Sequence, residues 1–382
     1  MAPVNRSVIR DLTDEQARRA LPLKWGDVDP GVVPAWVAEM DFALASPVEE
    51  ALVAAVRQGT AGYAPRGDAG VGTAFAGFAE RHWSWELPPD GSVVTGDVIA
   101  GIRIALEVLC PPGPVVVPLP CYPPFRDVVA LAGRELIAVE VDPDAEDAAL
   151  DLDAVESAFA AGARALLLCN PHNPLGRVSS RSELAALAEL ARRYGARVVA
   201  DEIHAPMVLP GGPDFTPYLS VDERGILVTS ASKTFNTAGL HCAQIVVLDP
   251  AERERLRGLP LPQNHAFSPL GMIASVVSWR DCDDWVIALR DRLTDQRSLL
   301  EELLATHLPE ARMRPLQATY LPWLDLRAYG HADPAAVGLK NGVRVAPGAD
   351  YQPGLAGHAR LNIATDADRL ERMVARLGEA LR

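Results

Sequence analysis

Residues 165–204 read ALLLCNPHNPLGRVSSRSELAALAELARRYGARVVADEIH. Two short apolar runs, Ala165–Cys169 and 197–200, flank a segment at 180–194 with apolar residues at helical spacing, which stops at Gly195. Runs of four or five aliphatic residues without polar alternation read as strands buried on both faces. A glycine just past a helical pattern is a natural C-terminal stop. Strand, helix and strand in this order predict a parallel pair joined by a crossover helix, within a sheet covered on both sides.

The same kind of run recurs at Val115–Leu119, 136–141, 225–229 and 244–248. Past about residue 265 the pattern changes: 284–304 has the spacing of a long amphipathic helix, shorter strand-like pieces follow, and a last helix is expected over 366–381. The sequence therefore predicts an α/β chain with a large domain over 46–270, built on a mostly parallel sheet. A smaller α/β domain would be assembled from both termini, 1–45 and 271–382.

Composition bounds what such a chain can do. With 382 residues, 49% of them hydrophobic and 23% charged, it can bury a large core and is not of the disordered class. A formal net charge of -14 argues against nucleic acid or an anionic membrane surface as the main partner. No run approaches the ~18 apolar residues of a membrane span. The polar N-terminus, MAPVNRSVIRDLTDE, has no apolar core of a signal peptide. Five cysteines with no CxxC pair suggest neither a disulfide framework nor a zinc site, and a reducing cytoplasm is the expected setting. Of the 36 basic residues only three are lysines, Lys24, Lys233 and Lys340. A lysine kept in so arginine-rich a chain invites a reason.

Each of three consecutive strand-like runs leads into a polar cluster: NPHNPLG at 170–176, DEIH at 201–204 and SASKTFN at 230–236. Ligands of open α/β sheets bind at the carboxyl ends of the strands, where these clusters converge. An amide, a carboxylate and an amine gathered there suit pyridoxal phosphate. Its aldehyde condenses with a lysine amine, and its ring nitrogen needs a carboxylate to stay protonated. Its phenolic oxygen needs a hydrogen-bond donor, and its phosphate needs backbone amides and small hydroxyls.

NPHNPLG, DEIH and SASKTFN in this order resemble the fold-type I aminotransferase superfamily. KWGDVDPGVVPAWVAEMDF at 24–42, GY at 62–63, PCYPPF at 120–125 and HARLNIA at 358–364 narrow the resemblance to the MalY/PatB branch, the cystathionine β-lyase or cysteine-S-conjugate β-lyase group. It covers about residues 24–364. It implies the aminotransferase fold, with a mostly parallel seven-stranded sheet between helices in the large domain. It also implies a homodimer, with Tyr63 reaching the neighbouring subunit's cofactor.

On this resemblance Lys233 holds the cofactor and then moves the substrate Cα proton, a task its lowered pKa would suit. Asp201 faces the ring nitrogen, Asn173 donates to the phenolic oxygen, and Tyr122 stacks on the ring. His204 stands where many class I aminotransferases have a tyrosine; either a bond to the phenolic oxygen or a structural role fits it. His172 reads as a turn residue. Ser230, Ser232 and the backbone amides of Val98 and Ile99 are expected on the phosphate. Arg360 is expected to grip the substrate α-carboxylate, helped by the backbone around Ala38.

Two positions depart from the family pattern. Asp97 stands where glycine is expected in the phosphate cup, and a helix N-cap is its simplest explanation. His241 stands eight residues after the lysine, where classical transaminases place an arginine, and this leans toward the lyase branch. The resemblance thus implies elimination of a thiol from an L-cysteine S-conjugate such as cystathionine. Transamination of an L-amino acid with a 2-keto acid is the alternative on the same scaffold.

Overall fold

The structure, a computed structural model, describes residues 6–145 and 147–382; the first five residues of the polar N-terminus lie outside the described residues. Strand β1 (Val33–Ala35) belongs to a smaller sheet. The next seven strands form the larger one: β2 (Ser92–Thr95), β3 (Val115–Leu119), β4 (Leu136–Glu140), β5 (Ala165–Cys169), β6 (Arg197–Asp201), β7 (Ile226–Thr229) and β8 (Ala243–Val246). Their order is β2-β8-β7-β6-β5-β3-β4, and only β8 runs antiparallel to its neighbours.

The unbroken apolar runs are explained by what covers the sheet. Val115, Val117, Leu167 and Val199 point into one core, while Val116, Leu166, Leu168 and Val198 point into another on the opposite face. Helices Val98–Val108 and Pro124–Leu131 cover the first face; Leu152–Ala160 and Arg181–Arg193 cover the second. Helix Arg181–Arg193 starts with a capping box. The Ser180 hydroxyl accepts from the Glu183 amide, and the Glu183 carboxylate accepts from the Ser180 amide.

Strand β2 is the member of the large sheet that the sequence reading missed. It has only four residues, squeezed between the Pro88–Gly91 turn and Gly96, too few to show a period.

Strands β9 (Arg312–Met313), β10 (Trp323–Asp325), β11 (Val343–Pro347) and β12 (His358–Arg360) complete the smaller sheet, ordered β1-β11-β12-β10-β9. The N-terminal β1 pairs in parallel with the C-terminal β11, so both ends of the chain build this unit together. The proposed division at 45/46 and 270/271 puts this sheet in one unit and the larger sheet in the other. Helix Pro269–Asp281, across the second boundary, nonetheless packs against helices Ser46–Arg57 and Val71–Trp83. Helix Asp283–His307 then carries the chain into the smaller unit, and the last helix, Ala367–Leu381, packs along it.

Candidate active site

Strands β5, β6 and β7 lie side by side and parallel, with Cys169 in register with Asp201. Their carboxyl ends therefore open on one place, a cavity of about 380 Å³ closed on the far side by the loop after β1 and by β12. All but one of the residues expected to hold cofactor or substrate line it. The exception is Tyr63, which is fully exposed and contributes nothing to this chain's own cavity.

Asp201 is the last residue of β6 and is buried. Its carboxylate accepts from the Ile203 amide at 3.0 Å. Burial pushes the carboxyl up to about 7, against the opposing pull of that amide and of the Lys233 ammonium. Lys233 sits in the four-residue helix Ser232–Phe235, and its Nζ donates to the Ala38 carbonyl at 3.1 Å. Burial, reinforced by the Arg360 guanidinium, brings the amine down to about 8; Glu39 and Asp201 act in the other direction. His204 is buried with its Nδ1 unpartnered among the described residues. Burial first, then Lys233 and Arg360, lower its pKa to about 3, so the imidazole is neutral.

Arg360 comes from β12 in the smaller sheet. Its two terminal nitrogens donate to Asn173 Oδ1 at 3.0 Å and to the Trp36 carbonyl at 2.7 Å, and its guanidinium lies 5.0 Å over the Tyr351 ring. Tyr122 forms another wall, half-buried and edge-on to Phe125 with ring centroids 5.7 Å apart.

Helix Val98–Val108 begins at the opposite end of the cavity, and the first amides of a helix have no intrahelical acceptor. Asp97 is its N-cap, accepting from the Ala100 amide at 2.7 Å, which turns the carboxylate onto the helix. Gly96 before it is pressed against the chain at Ala266, where a Cβ would lie 2.9 Å from the carbonyl oxygen. The Ser230 hydroxyl is committed inside the protein. It donates to the Cys242 carbonyl at 2.7 Å and accepts from the Ser232 amide at 3.1 Å. Ser232 keeps the freer hydroxyl. His241 lines the mouth of the cavity, exposed and in the left-handed region at φ 50°.

One feature of the site went unread in the sequence. The carbonyls of five consecutive residues, Trp36 to Met40, are each held by a side chain. Arg360 takes Trp36, and Asn362 Nδ2 takes both Val37 and Glu39 at 2.7 Å. Lys233 and the Tyr320 hydroxyl share Ala38, each at 3.1 Å, while Lys24 Nζ adds a bond to Glu39 at 3.0 Å. Asn236 bonds Met40 through both its amide and its carbonyl, each at 2.9 Å. Lys24 is itself fully buried and paired with Asp41 at 2.9 Å, which accounts for the second lysine. Asn236 and Asn362 lie inside quoted motifs and could have been singled out; Tyr320 gave no signal. His172 packs in the turn, its Nδ1 accepting from the Leu175 amide at 3.4 Å.

Known proteins are similar to this one along almost the whole chain. A Mycobacterium leprae protein, provisionally named a cystathionine beta-lyase, is 37% identical over 98% of each chain. The cystathionine beta-lyase of Corynebacterium glutamicum is 34% identical, covering 96% of this chain and 98% of its own. A crystal structure from Corynebacterium diphtheriae, provisionally described as a PLP-dependent beta-cystathionase, superimposes with a TM-score of 0.92. It is 34% identical and covers 98% of this chain and 99% of its own. The family model for aminotransferase class I and II matches residues 23–377, and with it the chain belongs to that family.

Proposed function

We propose that this protein is a pyridoxal 5′-phosphate-dependent carbon–sulfur β-lyase, which splits L-cystathionine or another L-cysteine S-conjugate into a thiol, pyruvate and ammonia. The observation that carries this reading is its near-full-length likeness to proteins named cystathionine beta-lyase.

The cavity fits the cofactor. Asp201 is a carboxylate whose pKa burial raises, and a protonated ring nitrogen would offset that cost of burial. The unpartnered His204 Nδ1 and Asn173 stand on the neighbouring wall. Amides of Val98 and Ile99 with the Ser232 hydroxyl suit a phosphate, and Tyr122 offers a flat aromatic wall. When bound, pyridoxal phosphate supplies an aldehyde that condenses with amines and a cationic ring that accepts the electron pair left by a departing proton.

The chain's own residues do the rest. Lys233 would hold the cofactor through its side-chain amine, the group with which an aldehyde condenses. Arg360, oriented by Asn173 and the Trp36 carbonyl, binds the α-carboxylate and fixes the Cα–H bond within reach of Lys233. The Lys233 amine would take that proton; burial and Arg360 lower it to about 8, so far more of it is unprotonated near neutrality than for an ordinary lysine. Asp201 would hold the ring nitrogen and favour its protonated form. The Cβ–S bond breaks with its electron pair leaving on sulfur, Lys233 can return the Cα proton to the thiolate, and one water is consumed in releasing pyruvate and ammonia.

A homodimer, with the exposed Tyr63 entering the partner's cavity, is part of this proposal. So is a cytoplasmic setting, supported by five free, buried cysteines. Among the described residues no helix is long and apolar enough to cross a membrane.

The name of the matching family favours one second reading, transamination. Pure protein loaded with cofactor is incubated with L-cystathionine and no keto acid. Sustained pyruvate and thiol release is the expected result. Turnover only after a 2-keto acid is added, with a new amino acid formed, would establish the transaminase instead.

A further inference from the structure

Three carboxylates line the cavity, and two have tasks already: Asp97 caps a helix and Asp201 accepts from the Ile203 amide. The third, Asp350, differs. Among the described residues no donor is hydrogen-bonded to its carboxylate, which stays open to solvent; Arg126 Nη2 binds its main-chain carbonyl instead, at 2.5 Å.

The element carrying Asp350 is held firmly against the Arg360 strand. Helix Gly348–Tyr351 links β11 to β12, and a Cβ on Gly348 would lie 2.8 Å from that of His358. The Tyr351 carbonyl accepts from the Cys121 amide at 3.0 Å, and the Arg360 guanidinium covers the Tyr351 ring. Asp350 thus has a fixed place relative to Arg360.

An amino acid with its carboxylate on Arg360 and its amine near Lys233 sends its side chain along the rest of this wall. That wall is apolar at Trp36, Val37, Ala346 and Tyr351, and Asp350 is the charged group on it. Arg126 and Arg360 act on this carboxylate without pairing with it, and a substrate carboxylate would occupy Arg360; an unpaired carboxylate on an apolar wall attracts a cation and rejects an anion. We propose that Asp350 is a specificity determinant that selects cysteine S-conjugates whose leaving thiol carries a cationic amine. This rests on the lyase reading of the same cavity. The leaving thiol of cystathionine carries both an ammonium and a carboxylate, so a purely cationic side chain is the sharper probe.

The test uses matched pairs in which an ammonium replaces a methyl group: S-(2-aminoethyl)- against S-propyl-L-cysteine, and S-(3-aminopropyl)- against S-butyl-L-cysteine. Both kcat/KM for pyruvate release and Kd, read from the visible absorption of the loaded enzyme, are measured for wild type, Asp350→Asn and Asp350→Lys. The amine should be preferred about fivefold in the wild type, the size of an opposite-charge pair open to water on one side. Asp350→Asn should bring the ratio close to one, and Asp350→Lys should shift preference to S-(2-carboxyethyl)-L-cysteine. Equal ratios in wild type and Asp350→Asn overturn the proposal. If no conjugate yields pyruvate, the lyase reading fails, and the Kd ratios alone decide the role of Asp350.

Discussion

Lys233 Nζ donates to the carbonyl of Ala38 across 195 residues of chain, at 3.1 Å. That bond joins the end of the larger sheet to the loop following β1 of the smaller one. It parks the amine beside Asp201 and Arg360, where its protonation matters most.

Burial, with Arg360 behind it, holds the Lys233 amine near 8. The neutral amine is the form that reacts with an aldehyde, so cofactor uptake by the cofactor-free protein should quicken as pH rises through about 8 and then level off. Arg360→Gln removes one of the two influences lowering the pKa, so the midpoint should move upward. Stopped-flow absorbance over a pH series reads both. A midpoint unmoved by Arg360→Gln would show that the guanidinium does not govern the amine.

Asp201 sets stability against function. Its carboxyl stays protonated up to about 7 when folded, against an ordinary value of 3.8. The folded protein therefore holds a proton that the unfolded chain gives up, and stability without cofactor falls as pH rises from about 4 to about 7. Asp201→Asn should abolish most of that loss, on the order of a few kcal/mol at neutral pH. The same substitution should cut the lyase kcat roughly 100-fold or more, because the ring nitrogen loses its carboxylate. Denaturant melts of cofactor-free protein across this pH range, with pyruvate assays of the loaded enzyme, check the two halves separately.

Asn236 clamps Met40 with two hydrogen bonds while occupying the left-handed region at φ 58°. Asn236→Ala loses both bonds and strains the backbone, at a cost of about 2–4 kcal/mol. Asn236→Gly keeps the backbone comfortable and loses only the bonds, so it should be the milder of the two. Chemical denaturation distinguishes them; equal stability of the two variants would remove the backbone from the explanation.

The sequence disclosed the parts of the fold that repeat. Buried parallel strands such as Ala165–Cys169 announce themselves by unbroken apolar runs, and the helix at 181–193 by its spacing and the glycine that stops it. The smaller sheet was legible only as a change of character. Its strands have two to five residues, and β1 and β11 meet across some three hundred residues of intervening chain. In the site, lysine, carboxylate and amide could be placed because each follows a strand of one parallel sheet. The clamp on Trp36–Met40 could not, because its acceptors are main-chain carbonyls, which every residue has. Ser230 shows the same limit: its hydrogen bond to the Cys242 carbonyl could not be read from its motif. The N-cap reading of Asp97, by contrast, needed only the helix start beside it.

The rarity of lysine permits the most direct test of the central claim, that Lys233 carries the cofactor. Lys24 is sealed in an ion pair with Asp41 and Lys340 is exposed at the end of helix Pro334–Lys340, so the two serve as buried and open controls. The protein is loaded with pyridoxal phosphate, reduced with borohydride, digested and mapped by mass spectrometry. A phosphopyridoxyl group on the peptide containing Lys233, in near-stoichiometric yield, is the predicted result. Label confined to Lys340, or an unmodified Lys233, would contradict the account.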